Sequence, residues 1–511
     1  MINLNKIVQG IVIAVGLIFS VLAVPWILES STGAIGPAVL IVGFACACIA
    51  LVRPRVGLYV AAFEVIYLDY FKKIAVYYGE VSELTIIQVL VVGMVTILCV
   101  YLGVIIQFIL GRTALRGTDF FLFGGMGALT LVTFAVMYAQ SRSVAQAGQM
   151  AVNLSIYAGL IVVMPVLLQE EKSLERFLKF VVLCFVPWSI MGLKQYFFGF
   201  DRMEWFYAET GLSPVATSQF FVGIEQYGEP RPMGFGSGSV NFGVVSLLLS
   251  LSAWMLAFNR NQRIIWAVCT AFILAAMVVS LQRAAMILPF IGLAFYFFTK
   301  SWVRLAIGYA SLSIVIALGI IFSDTILERL DEVNRTIASE GRWASAVLRV
   351  GTFSDRLKGW ERLKQPSTYS LLGAVGTGDI KNTGIGKGDY HDVVNVILDA
   401  TGVVGLAVTV LAAIAFAVIV HRIIFSIRDV RNRSLARLLM AAMVPIFVSG
   451  MLGGANFHAN PFNLVMWMHI GAIHCLLRYD RRHRVRETAD ESSRESSLTV
   501  AAAKRQVAFA S

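Results

Sequence analysis

An arginine, Arg283, separates two apolar stretches of the chain, at 264–281 and 284–299, with almost no loop between them. A charged side chain at a membrane boundary is costly to place and is often functional. The alternative is a structural arginine that extends its guanidinium to lipid headgroups. Because of this position, Arg283 is a candidate catalytic residue.

A histidine, His391, ends a Gly-rich segment and directly precedes another apolar stretch, in GKGDYHDVVNVILDATG. Imidazole is the side chain best matched to proton transfer near pH 7, so His391 is a candidate catalytic base. Asp389 and Asp392 flank it and are candidates to orient the ring and to bind substrate. The alternative is a histidine that only caps a helix or faces water.

A second arginine, Arg231, lies between two prolines in GEPRPMGFGSGS. The small residues that follow allow close backbone approach and can direct N–H groups toward an anion at the start of the next helix. Arg231 is therefore a candidate substrate-binding residue, and an ordinary turn into a helix is the alternative. These glycines are not a nucleotide-binding fingerprint, because no strand precedes them.

The loop at 323–391 carries many arginines and lysines, nearly balanced by acidic residues. Most of these charges fit a solvated helix face, and one or two, with Arg342 and Arg362 as candidates, bind a substrate phosphate. No cluster of side chains has metal-ligand spacing. All six cysteines lie in apolar stretches, which predicts small buried hydrophobic residues in place of disulfides or a zinc site.

The composition predicts that these residues are positioned by a membrane protein. Of the 511 residues, 58% are hydrophobic and only 14% are charged, whereas a soluble domain has about 25% charged residues. The mean hydropathy is +0.76. The net charge of +11 is spread over short loops, which is how orientation in a bilayer is encoded, and this excludes nucleic acid as a partner.

Apolar segments long enough to cross a bilayer, about 20 residues each, recur along the chain. The predicted spans lie near 7–28, 33–52, 56–71, 84–110, 118–138, 149–168, 177–198, 238–258, 264–281, 284–299, 303–322, 392–420, 438–453 and 462–477. The third contains Glu64 and Asp69 and is either a span or a re-entrant segment. The predicted fold class is thus all-α, a polytopic transmembrane helical bundle of about 12–14 spans with a large, partly helical periplasmic loop.

Alternation from a cytoplasmic N-terminus places a basic connection inside at every step, so both termini are predicted to be cytoplasmic. Lys72 and Lys73, in an outside turn, are the exceptions. The tail is basic at first and then Ser-, Glu- and Ala-rich without apolar periodicity, which predicts disorder. The chain divides into N-terminal helices, a first periplasmic loop, central helices, a large periplasmic loop, C-terminal helices and the tail, at 1–198, 199–237, 238–322, 323–391, 392–477 and 478–511.

Three stretches resemble the O-antigen ligase and O-antigen polymerase superfamily of bacterial inner membranes. RPMGFGSGSVNFGVV is similar to the family's Arg-x-x-Gly-x-Phe run, and SLQRAAMILPF to its Ser-x-x-Arg turn. GTGDIKNTGIGKGDYHDVVNVILDATGVVGL is similar to its Gly-x-Gly segment, histidine and Gly-x-x-Gly helix, with ten residues between His391 and Gly402. Asp392 stands where the family often has Asn, and Ile287 where ligases have Leu, so ligase and polymerase both stay open.

The resemblance implies glycosyl transfer from an undecaprenyl-diphosphate-linked glycan to a hydroxyl acceptor, either a lipid A-core sugar or another glycan, with no cofactor and no metal. It implies a multi-pass protein of the bacterial inner membrane, in contact with membrane lipids. Arg283 and Arg231 then hold the diphosphate, and His391 removes the acceptor proton. A lipid-linked glycan flippase is the alternative outside enzymes. A transporter would carry charged groups near the middle of several spans, whereas here the candidates Glu64, Asp69 and Asp399 lie toward span ends and the outside loops hold most of the polar residues.

Overall fold

A computed structural model describes most of the chain between Ile35 and Ala510. The described residues are 35–79, 81–141, 155–212, 231–236, 245–258, 260–280, 283–322, 393–453 and 461–510, with 151, 224, 325–326, 328 and 371. Within these ranges the regular secondary structure is helical throughout.

The described residues form a series of α-helices. In chain order they are α1 (Ile35–Val52), α2 (Pro54–Tyr78), α3 (Glu83–Ile109), α4 (Gly117–Ser141), α5 (Leu160–Leu167, entered through a 3₁₀ turn at Ile156–Gly159), α6 (Glu171–Phe198), α7 (Arg202–Glu209), α8 (Val245–Phe258), α9 (Arg263–Val279), α10 (Arg283–Phe298), α11 (Trp302–Ile321), α12 (Val393–Ser426), α13 (Val430–Gly453) and α14 (Phe462–Ala510).

Each predicted span from the second onward coincides with one of these helices, and the first span lies outside the described residues. The third segment is one uninterrupted helix of 25 residues, α2, in place of the re-entrant alternative. Its acidic residues do not break it, because Asp69 Oδ1 pairs with Lys72 Nζ at 2.5 Å one turn later and Glu64 is buried against neighbouring helices.

Three of the described helices are long and apolar enough to cross a membrane by themselves: Thr85–Ile109, Glu171–Phe198 and Gly402–Ser426. The last of these exposes a row of large apolar side chains, among them Val408, Leu411, Ile414 and Ile419. An outer helix in lipid needs such a surface. The chain is therefore a membrane protein of helical class, and the predicted count of about fourteen spans stays a prediction.

Side-chain contacts show that the basic connections lie together at one end of the helices. We call this the basic end. Arg55 Nη2 donates to Ser173 Oγ over 2.7 Å, Arg431 Nη2 lies 3.4 Å from Glu175 Oε2, and Arg478 pairs with the buried Asp119. The basic end thus comprises the connections at 53–55, 110–116, 168–176, 260–263, 299–304 and 426–437 and the start of the tail at 478–484. The opposite end, called the loop end, carries the described residues 79, 81–82, 199–212, 231–236, 280 and 283.

The last helix corrects one prediction about the tail. The segment 478–511 was predicted to be disordered, but α14 continues through it as far as Ala510. The start of the tail is anchored, because the buried Asp480 accepts backbone hydrogen bonds from Arg428 and Asp429 at 2.7 and 3.0 Å. Arg484 pairs with the same carboxylate one turn on, at 2.8 Å. The tail therefore extends a helix that is already formed, and it does not have to pay the cost of nucleation that an isolated polar segment faces.

Small residues allow the helices to approach closely. A Cβ on Gly103 of α3 would lie 2.8 Å from the carbonyl oxygen of Ala50 in α1, and one on Gly471 of α14 would lie 2.8 Å from that of Leu160 in α5. Lipid provides no hydrophobic force between helices, so membrane bundles depend on such close packing.

Candidate functional site

The Arg231–Gly236 segment is clasped by a single amide side chain at the loop end. Gln195 Oε1 accepts the backbone N–H groups of Met233 and Gly234, both at 2.8 Å, and Gln195 Nε2 donates to Gly234 O, also at 2.8 Å. Gln195 is buried near the end of α6. One glutamine therefore satisfies three backbone groups of an irregular segment, as buried polar groups require.

A buried ion pair supports this clasp. Glu204, in the first turn of α7, accepts a short hydrogen bond from Gln195 Nε2 and lies 3.8 Å from Lys73 Nζ. Lys73 in turn donates to Gly236 O over 2.8 Å. Lys73 and Glu204 are 4% and 3% exposed, and a buried charge needs such pairing to be tolerated. Three helices, α2, α6 and α7, thus converge on the segment.

Aromatic side chains seat the remaining part of the segment. The Phe235 ring lies 4.4 Å from the Tyr70 ring and 5.5 Å from the Tyr67 ring, centroid to centroid. Gly234 has φ +59°, in the left-handed region that favours glycine. Arg231 is half-buried at the head of the segment. Its guanidinium is consequently carried by a backbone that is fixed on several sides.

The surroundings of Lys73 lower the pKa of its ammonium group. Burial lowers the pKa of the Lys73 ammonium, and the carboxylates of Glu204 and Asp69 oppose that shift. Lys73 lies near the end of α2, beyond the predicted span at 56–71. Because Lys73 is buried, paired with Glu204 and bonded to Gly236 O, its role is to hold the backbone of the 231–236 segment.

Two predicted site residues lie within the described residues. Arg231 heads the clasped segment, and Arg283 is the first residue of α10. The other predicted site residues, in the long loop and at its end, lie outside the described residues: His391, Asp389, Asp392, Arg342 and Arg362.

Helix directions bring Arg231 and Arg283 to the same end. Lys179, early in α6, donates to Gln262, directly before α9, over 3.1 Å, so α6 and α9 both begin at the basic end. Gln195 and its clasped segment at the end of α6 therefore lie at the loop end. Arg283 lies there too, because it follows the end of α9.

The helix that follows His391 starts from the same end. The Phe425 ring, near the end of α12, lies 4.8 Å from the ring of Trp302 at the start of α11, so α12 ends at the basic end. Its first part is broken at Gly402, with φ 67° and ψ −166°. Just past the break, Val404 N donates to Leu371 O over 3.2 Å, which places this residue of the large loop against α12.

Sequence inspection missed the residues that fix the segment: Gln195, Lys73 and Glu204. One signal was present for Lys73, because Lys72 and Lys73 depart from the charge alternation of the connections. The structure explains this departure: Lys72 pairs with Asp69, and Lys73 is an internal cation. Nothing in the local sequence distinguishes Gln195 from other polar residues near helix ends.

The described residues contain no group of three or more His, Cys, Asp or Glu side chains that could hold a metal ion. The cysteines in this part of the chain are all free. At the loop end, the Lys73 ammonium and the N–H groups of Met233 and Gly234 are already bonded within the clasp, so Arg231 and Arg283 carry the guanidinium groups that could bind an anion there.

Compared with protein-family models, with curated proteins and with solved structures, the chain gives no significant match in any of the three. The family resemblance of its three motifs therefore stays a prediction from the sequence.

Proposed function

We propose that this protein is a membrane glycosyltransferase that moves a glycan from an undecaprenyl-diphosphate carrier to a hydroxyl acceptor, as a ligase of surface polysaccharide. The proposal places the reaction on the periplasmic side of the bacterial inner membrane, at the loop end. The acceptor is a lipid A-core sugar or another glycan, and neither a cofactor nor a metal takes part.

One observation carries the proposal: the Arg231–Gly236 segment is held by Gln195 and Lys73 at the end of the helices where Arg283 also lies. Holding this irregular backbone fixes the point from which the Arg231 guanidinium extends before the substrate arrives. Donors that are fixed in advance cost no reorganisation during the reaction, which is why preorganised sites stabilise developing charge.

In the proposed mechanism, His391 removes the proton of the acceptor hydroxyl as its oxygen attacks the anomeric carbon. The bond from that carbon to the diphosphate oxygen breaks, and Arg283 and Arg231 stabilise the negative charge on the leaving diphosphate. Direct displacement inverts the anomeric configuration. Asp389 or Asp392 orients the imidazole, and Arg342 and Arg362 bind further phosphate or sugar oxygens.

A repeat-unit polymerase is the alternative within the same chemistry. Arg362 and Gly373 have ten residues between them, and this spacing resembles an arginine pattern of the superfamily's polymerases. Only the acceptor differs between the two activities, so the same residues would act in both.

A lipid-linked glycan flippase is the second alternative, and one buried group favours it. Glu64 lies within the predicted span of α2 and is 7% exposed. Ionisable residues inside a membrane often mark a transport path. Translocation of a glycan lipid by the purified protein in sealed vesicles is the result that this alternative requires.

Deletion of the gene, followed by separation of surface glycans and lipid-linked intermediates by size, distinguishes the three activities. Long glycan accumulating on the carrier, with none on the acceptor, identifies a ligase. Loss of long chains, with single repeats still made, identifies a polymerase. An unchanged profile contradicts both.

Point variants that restore or fail to restore the deletion test the residue roles. His391→Ala is expected to abolish transfer with normal membrane insertion, whereas His483→Ala, an exposed histidine of α14, is expected to restore it fully. Arg283→Lys keeps the positive charge but replaces the planar guanidinium, which can bind a phosphate bidentately. This variant is therefore expected to lose most of the activity. Normal glycan from His391→Ala would contradict the mechanism.

A further inference from the structure

A cavity of about 490 Å³ opens at the basic end, away from the candidate site. The turn between α1 and α2, the end of α3 and the turn between α5 and α6 enclose it. Its charged lining residues are Arg53, Arg55, Arg112 and Glu170. Three guanidinium groups face one carboxylate, and this volume lies in the range of small-ligand sites.

One of these arginines is already fixed across the cavity. Arg55 Nη2 donates to Ser173 Oγ over 2.7 Å and so joins α2 to α6. A guanidinium has five N–H donors, and this contact uses one of them. The planar fork that remains matches the geometry of two phosphate oxygens.

Two helices also begin at the cavity. α2 starts after Arg53 and α6 starts after Glu170, and neither of these N-cap residues makes a side-chain capping hydrogen bond. The first N–H groups of a helix have no partner within it, and the helix dipole is positive there. Both helix starts therefore add to the attraction that the arginines exert on an anion.

Apolar side chains form one part of the cavity wall, and Gln107, Thr113, Gln169 and Ser173 add uncharged polar groups. Val52, Val56, Val166 and Leu167 line it beside the arginines. Val52 ends α1, one of the predicted spans, so this wall lies at the predicted boundary between hydrocarbon and headgroups. A lining that combines arginines with apolar side chains suits an amphiphile with a phosphate headgroup, and basic pockets between membrane helices bind such headgroups.

We infer that this cavity binds a phosphate ester through Arg53, Arg55 and Arg112. The phosphate comes from an anionic membrane phospholipid or from a soluble phosphate compound, and both sources present the same oxygens to the same arginines. The site is separate from the proposed transferase site, because the two lie at opposite ends of the helices.

The test is native mass spectrometry of the full-length protein, purified in detergent, during titration with phosphatidylglycerol and, separately, with inorganic phosphate. The variant Arg53→Gln/Arg55→Gln/Arg112→Gln is expected to weaken binding roughly tenfold or more, since each charge-assisted hydrogen bond contributes substantially. The control Arg176→Gln/Arg263→Gln/Arg304→Gln removes the same charge from exposed positions at the same end and is expected to bind like the unaltered protein.

A second variant, Val56→Trp, fills the cavity without changing its charge. Val56→Trp is expected to weaken binding as much as the triple variant does. If the triple variant does not fold, this variant alone tests whether the cavity is the binding site. Binding of phosphatidylglycerol that millimolar inorganic phosphate does not displace assigns the site to lipid. Saturable binding of inorganic phosphate that needs the three arginines assigns it to a soluble compound.

Equal loss in the cavity and control triples would overturn the inference, because it would mean attraction to surface charge in general. Unaltered binding by Val56→Trp, or no binding of either probe by the unaltered protein, would overturn it as well.

Discussion

At the scale of single residues, Gln195 is expected to be the most sensitive position of the candidate site. Gln195→Met keeps the length of the side chain but removes every hydrogen bond to the 231–236 segment, leaving several buried polar groups without partners. The unfolding free energy is expected to fall by about 2 kcal/mol or more. SDS titration of the purified protein measures it.

The matched control for this prediction is Gln169→Met at the basic end. Gln169 is exposed, and its side chain donates only to the nearby Val166 O, at 3.1 Å. A change of about 0.5 kcal/mol or less is expected there. Equal effects at the two positions would mean that the clasp contributes nothing beyond an ordinary surface hydrogen bond.

The Lys73–Glu204 pair is expected to show strong coupling. In a double-mutant cycle of Lys73→Met and Glu204→Gln, the coupling free energy is expected to be about 1–3 kcal/mol, because both groups are buried and act on the same segment. Unfolding free energies of the four proteins measure it.

An exposed lysine–carboxylate pair provides the comparison. Lys194 Nζ lies only 2.5 Å from Asp201 Oδ1, but these side chains are 32% and 50% exposed. Water screens such a pair, so its coupling is expected to be below about 1 kcal/mol. Stronger coupling in the exposed pair than in the buried one would contradict the role assigned to Lys73.

At the level of residues, the sequence singles out a side chain where its type is unusual in its surroundings. Arg231 and Arg283 stand out because an arginine is costly beside lipid, and Lys73 stood out as an exception to the charge pattern. Gln195 did not, because its importance comes from backbone groups almost forty positions later in the chain, which only the tertiary fold brings to it.

At the scale of elements, the break in α12 depends on Gly402. Its φ of 67° with ψ −166° belongs to a region that is essentially restricted to glycine. Gly402→Ala is therefore expected to lower the unfolding free energy by about 1–3 kcal/mol and to reduce the proposed transfer, since the segment before the break follows His391.

The control for Gly402 lies one turn further along the same helix. Gly405→Ala falls in regular helix, where alanine is favoured over glycine by roughly 0.5–1 kcal/mol, so unchanged or slightly higher stability is expected. SDS titration of both variants separates the two cases. If Gly402→Ala were as stable as Gly405→Ala, the left-handed conformation at 402 would be wrong.

Sequence periodicity and hydropathy located the helices well and the end of the last one poorly. Runs of about twenty apolar residues form helices because the backbone must satisfy its own hydrogen bonds in lipid. The tail has no apolar pattern, so its composition indicated disorder. The tail continues α14, and Asp480 anchors it by accepting hydrogen bonds from the backbone before α13. The local sequence gives no sign of those contacts.

At the scale of the whole molecule, the charged residues at the two ends of the helices are arranged differently. The basic connections meet at one end, where ion pairs link distant parts of the chain. The other end is held by buried polar contacts around one irregular segment. Positive charge that is repeated over short connections orients a protein in the bilayer, whereas isolated cations at the opposite end need a local reason, which Lys73 and Arg231 have.

This division predicts the orientation of the chain. With the native cysteines replaced by alanine, a single exposed cysteine at Glu209→Cys is expected to react with a membrane-impermeant maleimide added to intact spheroplasts. Lys172→Cys, exposed at the basic end, is expected to react only after the membrane is opened. The physical reason is that basic connections are retained in the cytoplasm during insertion.

The same two positions also test whether α6 crosses the membrane at all. The apolar part of α6, which is long enough to span a bilayer, lies between them. Reaction of Lys172→Cys alone in intact spheroplasts would reverse the orientation and move the proposed transferase site to the cytoplasm, where it would have no access to a periplasmic acceptor. Reaction of both would mean that α6 does not cross. Only the expected pattern leaves the clasped segment facing the periplasm and the phosphate cavity facing the cytoplasm.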